Sequence, residues 1–399
     1  MIWQLHQLQD LCIQVTSGGT PPTSRPEYYG GDIPWLRTQE VNFNTIRDTE
    51  LKITEDGLTN SAAKWIPENS VIVAMYGNSA GRVAVNQIPL TTNQACCNLI
   101  VDGAKADYRF IYYKLLLDYD VLHQMAKGAA QNNLNAGQIK TYSIRAPLVT
   151  QQERIADILS AYDDLIENNR RRMVLLEEAA RQLYREWFVR LRFPGHEHTR
   201  ITNGVPEGWE RGYVDNFYNT ASGGTPSRKT PDHFTGDIPW VKTQELSNGF
   251  IIDTQEKITE DALANSSAKL FPERTVLIAL YGATVGELGI LALPAATNQA
   301  CCGVFPKDPR SHYIHAFLFF RENKAKLVSL SAGAAQKNIS QQIVRGFEMV
   351  MPSKPLMEAY VDSLSMAFEQ WLNLQRSNEK LHAARDLLLP RLMSGVISV

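Results

Sequence analysis

Residues 31–40 read GDIPWLRTQE, and residues 236–245 read GDIPWVKTQE. An Asp, a Pro and a Trp in one fixed order do not recur by accident, so the question is how far the copy extends. SGGTP occurs at 17 and 222, KITED at 52 and 257, TNQACC at 92 and 297, and GAAQ at 128 and 333. Every pair keeps an offset of 205, and 14 of the 24 positions from Ser17 to Glu40 are identical to their partners. Solenoid units are only roughly 20–45 residues long. This period therefore marks a whole domain used twice, with whatever joins the copies.

Within each copy the texture is mixed. SVIVAMYG (70–77) and TVLIALYG (275–282) are short apolar runs ending in Gly, as buried strands entering a turn would be. NLIVDG and GVFPKD predict further strands, and SIRAPLVT and GFEMVMPS closing ones. DYRFIYYKLLLDYDVLHQMAKG and its partner SHYIHAFLFFRENKAKLVSLSAG predict helices. The expected fold class is α+β: two similar domains separated by two long antiparallel coiled-coil helices, in a pseudo-twofold duplication.

Those helices are read from spacing. Between Gln151 and Arg192 there is no Pro or Gly, and apolar residues step by three or four. The expected seam runs through Ile158, Tyr162, Ile166, Met173, Leu176 and Leu183, with one stutter. The second helix offers Phe368, Trp371, Leu374, Leu381 and Leu388, with Pro390 interrupting its ladder near the end. Asn169 and Asn378 fall in the seam, where polar residues fix register at some cost in stability. The expected divisions are a first domain at 1–150, a central helix at 151–193, a linker at 194–208, a second domain at 209–355, and a C-terminal helix and tail at 356–399. A helix of about 37 residues spans ~55 Å.

Composition sets limits on function. The chain has 399 residues, 44% hydrophobic and 21% charged, with a formal net charge of −2. That balance does not suit a protein that coats nucleic acid unaided. No apolar run approaches the ~18 residues of a membrane span. The opening MIWQLHQLQDLC has no basic region followed by an apolar one, so no secretory leader is expected, and the expected location is cytoplasmic. Cys12 and the adjacent pairs Cys96–Cys97 and Cys301–Cys302 lack metal-ligand spacing and are read as buried apolar side chains.

Enzymatic readings find little support. GNSAG (77–81) fits a nucleophile elbow, but the second copy has Thr284 where Ser79 stands, and His123 becomes Val328. HEH (196–198) lacks the spacing of a zinc helix, and no phosphate-binding glycine loop is present. No catalytic residue and no metal site is expected.

What recurs instead is polar, aromatic and suited to DNA. Asn and Gln read adenine, Arg and Lys read guanine, and Ser, Thr and backbone N–H groups take phosphate. The candidate contacts in the first copy are Ser17, Thr20, Arg25, Arg37, Gln39, Asn42, Tyr76, Asn78, Arg82, Asn93, Gln131 and Asn132. In the second they are Ser222, Thr225, Arg228, Lys229, Lys242, Gln244, Tyr281, Thr284, Asn298, Gln336 and Lys337. Residues identical in both copies, including Asp32, Pro34 and Trp35, are assigned first to the frame, because positions that read sequence should be free to differ. The code is expected in Arg37 against Lys242 and in unlike tracts such as PTSRPEYYG (22–30) against SRKTPDHFT (227–235). NNRRRM (168–173) with Arg181, Arg185, Arg190 and Arg192 predicts a basic outer face on the central helix.

The doubled SGGTP…GDIPW…TQE and YG…TNQACC frame, with LYREWFVRLRFPGHE (183–197) and LLLPRLMSGVISV (387–399), resembles the specificity subunit of type I restriction–modification systems. The resemblance covers essentially the whole chain. It implies a non-catalytic protein whose two target recognition domains each read half of a split, asymmetric site in double-stranded DNA, with the helices setting the gap. A ~55 Å helix spans at most ~16 base pairs at 3.4 Å each. The implied partners are two modification subunits and the restriction subunits. S-adenosylmethionine, ATP and Mg would be bound by those partners, and no cofactor by this chain. The rival reading is a stand-alone DNA-binding or scaffold protein, but a repressor would usually carry a helix-turn-helix, and none is legible.

Overall fold

The central strand of each copy explains its own sequence. In Val71–Ala74 every residue is buried, because both faces of its sheet are covered. Val71 and Val73 face one core with Cys97, Leu99, Phe110 and Ile111. Ile72 and Ala74 face another with Leu36, Ile66, Leu90 and Cys96. The period of two thus sends Cys96 and Cys97 to opposite faces of the sheet, so the adjacent thiols cannot meet. Val276–Ala279 repeats the arrangement with Cys301 and Cys302. All five cysteines are free and buried, and burial pushes the Cys97 and Cys302 thiols up to about 12.

The structure is a computed structural model that describes residues 3–127, 133–330 and 338–399. It divides into two compact units, Met1–Ile166 with Lys380–Val399, and Glu167–Glu379. The first unit has a five-stranded sheet in the order Cys12–Ser17, Cys96–Val101, Val71–Ala74, Val83–Asn86, Asn44–Ile46. A four-stranded sheet follows the order Leu51–Ile53, Tyr29–Leu36, Leu90–Thr92, Trp65–Ile66. Gln4–Gln7 pairs antiparallel with Ser143–Ala146. The second unit repeats all three sheets, its five-stranded one running Tyr218–Ser222, Cys301–Pro306, Val276–Ala279, Leu288–Leu291, Gly249–Ile251. The α+β class and the doubled domain are as expected.

The helices beside the sheets differ between copies. The first copy breaks its helix into Tyr108–Leu117 and Tyr119–Lys127 around Asp118, whose carboxylate is held by Lys114 at 2.6 Å and Tyr142 at 3.0 Å. The second copy runs unbroken as Tyr313–Ser329.

The two long helices are Val149–Tyr184, ending in a π-turn at Arg185–Val189, and Lys354–Met393. The latter passes through Pro390 and continues for three more residues. Within the second unit Asn169 donates to Asn378 across the helix pair at 2.8 Å, and both amides are buried. Within the first unit Asp163 meets Arg385 at 2.5 Å, so the chains run antiparallel. Phe368, Trp371 and Leu374 are buried, as is Ile166. Tyr162, Met173, Leu176, Leu183, Leu381 and Leu388 are half-buried.

One seam position needs correction. Ile158 is 36% exposed, and Leu159 takes its place inside. At 3.6 residues per turn, a step of four from the buried Ile155 lands on Leu159 and leaves Ile158 about 100° away. Ile155 and Leu159 share a core with Phe110, Tyr113, Leu389 and Leu392, so the helix ends bed on the domain as well as on each other.

Candidate nucleic-acid interface

The opening decapeptide is a set of clamps. Trp35 is buried, and its indole Nε1 donates to the Gly19 carbonyl at 3.0 Å; Trp240 does the same to Gly224 at 3.1 Å. A Cβ on Gly18 would overlap the Thr92 carbonyl, and one on Gly223 would overlap Thr297, so the SGG turn admits nothing larger. Glu40 accepts from the backbone N–H of Arg37 at 3.1 Å and of Glu50 at 2.9 Å. Glu245 accepts likewise from Lys242 at 2.7 Å and Gln255 at 2.8 Å. Thr20 donates to Gln94, and Thr225 to Gln299.

These clamps gather loops that the sequence separates. Asn93 N donates to Leu36 O at 2.9 Å, Met75 N to Ala95 O at 2.8 Å, and Leu134 N to Met75 O at 2.8 Å. The turns after the GDIPW, YG and TNQ segments therefore form one continuous edge. The second copy repeats the chain of bonds through Asn298 N to Val241 O, Leu280 N to Ala300 O, and Ile339 N to Leu280 O, at 2.9, 2.7 and 2.7 Å.

Arg37, Lys242, Arg228, Arg82 and Arg25 are each engaged by a neighbouring side chain. Arg37 Nη2 pairs with Glu50 at 2.7 Å, and Gln39 Nε2 approaches the same carboxylate at 3.4 Å. Lys242 and Arg228 share Glu256 at 2.9 and 2.7 Å, which holds that carboxyl below its usual range. Arg228 also lies over the Phe234 ring at 4.0 Å. Arg82 donates to Asn42 at 2.9 Å, and exposed Arg25 pairs with Glu27 at 3.3 Å.

The family of a chain built this way is decided by its sequence profile. The model of the type I restriction modification DNA specificity domain matches twice, over residues 2–178 and 206–374. The chain belongs to that family. It is similar to the type I restriction enzyme MjaIX specificity subunit of Methanocaldococcus jannaschii, with 26% identity over all of this chain and 94% of that one. It is also similar to the HindI specificity subunit of Haemophilus influenzae, 23% identical over 92% of this chain and 94% of that one. The crystal structure of a type I S subunit from M. genitalium shares the fold, with a TM-score of 0.63 at 15% identity over 98% of this chain and 96% of that one.

For this specificity-domain protein the candidate residues sort unevenly. Thr20, Thr225, Asn93 and Asn298 lie in the clamps themselves, and Ser222 donates to Gln341 at 3.1 Å. Ser17 is half-buried at a strand end opposite Cys97. Tyr76, Asn78, Gln39, Asn42, Gln244 and Lys229 are exposed on the loops, while Tyr281 and Thr284 are half-buried. Gln131, Asn132, Gln336 and Lys337 lie outside the described residues. Sequence reasoning missed Glu50, Gln94, Glu256 and Gln299. An acid that pairs with a cation 13 or 14 residues away leaves no periodic signal.

Two expectations change. Asp32 and Asp237, identical in both copies, are exposed and make no side-chain hydrogen bond or ion pair among the described residues, so they are no part of the frame. Arg181 and Arg185 do not face outward: Glu322 of the domain takes them at 3.9 and 2.9 Å, while Glu186 takes Arg190 and Arg192. Arg170, Arg171 and Arg172 stay exposed, with Arg171 paired to Glu167 at 3.1 Å. In GNSAG, Gly77 and Gly81 have φ of 67° and 89°, and Ser79 Oγ donates to its own turn at Tyr76 O, 3.1 Å away. His123 Nδ1 lies 2.9 Å from the Ala80 carbonyl, so the pair is not arranged as nucleophile and base. Among the described residues no three His, Cys, Asp or Glu are placed to hold a metal ion, and no helix is long and apolar enough to cross a membrane.

Proposed function

We propose that this chain is the DNA-reading subunit of a type I restriction–modification enzyme, and that each copy of the domain reads one half of a split, asymmetric duplex site. The observation that carries the reading is the doubled edge: one set of backbone clamps presenting different polar and charged side chains in each copy. Two readers on a common frame suit two unlike half-sites. The long helices set the gap between those half-sites.

The chain itself performs no catalysis in this reading. Two modification subunits supply S-adenosylmethionine and methylate adenine, restriction subunits supply ATP- and Mg-dependent translocation and cleavage, and the assembly works in the cytoplasm. The near-neutral balance, −2 overall, fits a reader whose partners contribute much of the phosphate contact.

Mapping adenine methylation across the genome tests this directly. A bipartite methylated motif should be present and should vanish when the gene is deleted. Removing four residues from either long helix, about 6 Å of rise, should alter the gap and leave both half-sites unchanged. Altered half-sites with a constant gap would overturn the assignment of the helices.

A further inference from the structure

The acids beside the candidate reading cations do not stand at equivalent positions. Arg37 and Lys242 are equivalent under the offset of 205, but Gln255 stands where Glu50 does, and Leu51 stands where Glu256 does. Both copies nevertheless place a carboxylate on the cation, at 2.7 Å in one and 2.9 Å in the other. The Glu40 and Glu245 clamps bring the two backbones together, and each copy has found its own acid within reach.

In the first copy stability does not account for this re-creation. Glu50 has a side chain 63% exposed, and such surface pairs are worth at most ~1 kcal/mol. We propose that Glu50 and Glu256 are positioning residues for base readout, each holding its cation toward a guanine in the half-site read by its own copy. The proposal rests on the DNA-reading function above.

The chemistry follows from the donor count. A guanidinium carries five N–H donors, and Glu50 engages one of the two on Nη2. The other Nη2 hydrogen, with those on Nη1, remains for the O6 and N7 acceptors of guanine. Nη1 has no hydrogen-bond partner among the described residues. A long cation held in one rotamer loses less entropy on docking. The carboxylate also repels phosphate, so the cation favours base edges over the backbone. In the second copy Glu256 holds Lys242 and Arg228 together, and the Phe234 ring fixes Arg228 further.

The test is selection from a duplex DNA library with randomised positions, using the full chain assembled with its modification subunits. Glu50→Gln should make one G·C pair degenerate in a single half-site, with about a tenfold loss of preference there. Affinity for non-specific duplex should rise, because a negative charge is gone. Glu256→Gln should loosen only the other half-site, and Arg37→Met should blur the same pair as Glu50→Gln. A merely structural role would lower affinity throughout and would not raise non-specific binding. Unchanged base preference in both glutamine variants, or equal loosening of both half-sites, would overturn the proposal. A wild-type protein that enriches no bipartite site would instead sink the DNA-reading function itself.

Discussion

The two copies of the domain agree in their clamps and differ in the acids that meet their candidate reading cations. Trp35 and Trp240 donate to the same glycine carbonyl, and Glu40 and Glu245 bridge the same two amides, within a few tenths of an ångström. Yet Arg37 and Lys242 find different acids. Buried Phe110 in the first copy is replaced by buried His315 in the second, where the imidazole Nδ1 meets the Tyr218 hydroxyl at 2.9 Å. A clamp onto backbone tolerates any neighbouring sequence, whereas a side-chain pair must be rebuilt when either member changes. That asymmetry lets one frame carry two readers.

The largest expected effect tests whether the frames are equivalent. Trp35→Ala and Trp240→Ala should each destabilise their own copy by about 3–5 kcal/mol, read by chemical denaturation. Tolerance in one copy alone would break the comparison.

Next comes a pH dependence confined to the second copy. Burial, with His312 adding to it, pushes His315 down to about 3, against about 6.5 in the unfolded chain. Between those values only the unfolded state binds the proton, so stability rises with pH and is lost as pH falls from about 6.5 toward 3. Thermal unfolding of the full chain should show this slope, and His315→Phe, which copies Phe110, should reduce it, leaving the share of His312, which burial also pushes down. An unchanged slope would remove His315 as its source.

Smaller effects separate clamp from surface. Glu40→Gln and Glu245→Gln should each cost about 1–3 kcal/mol, since each disturbs two backbone bonds to a charged acceptor. Asn169→Leu alone should cost a similar ~1–3 kcal/mol by removing the buried hydrogen bond that Asn378 Oδ1 accepts at 2.8 Å. The double change to Leu at both positions should recover most of that while relaxing the register of the helices, readable by cysteine crosslinking. Asp32→Asn should move stability by less than ~0.5 kcal/mol. A larger loss would return Asp32 to the frame.

Much of the fold was legible because it is periodic or repeated. The offset of 205 marked the doubled domain, the apolar runs at 70–77 and 275–282 marked buried strands, and the three-four spacing marked the long helices. The error at Ile158 arose where a step of three and a step of four fit the pattern equally well, and only packing on Phe110 and Leu389 chose Leu159. The candidate edge was legible as a set of loops, not as a surface. Which loops meet depends on hydrogen bonds such as Asn93 N to Leu36 O, between residues far apart in the chain.

The sequence by itself determined that one α+β domain was used twice and that a long helix follows each copy, because repetition and spacing are properties of the chain order. Tertiary structure alone decided which carbonyls and amides the Trp and Glu of GDIPW…TQE clamp, that its Asp is no clamp, and that Arg37 and Lys242 answer to acids at unlike positions. Those facts depend on which side chains come within about 3 Å of one another, and no spacing along the chain encodes that distance.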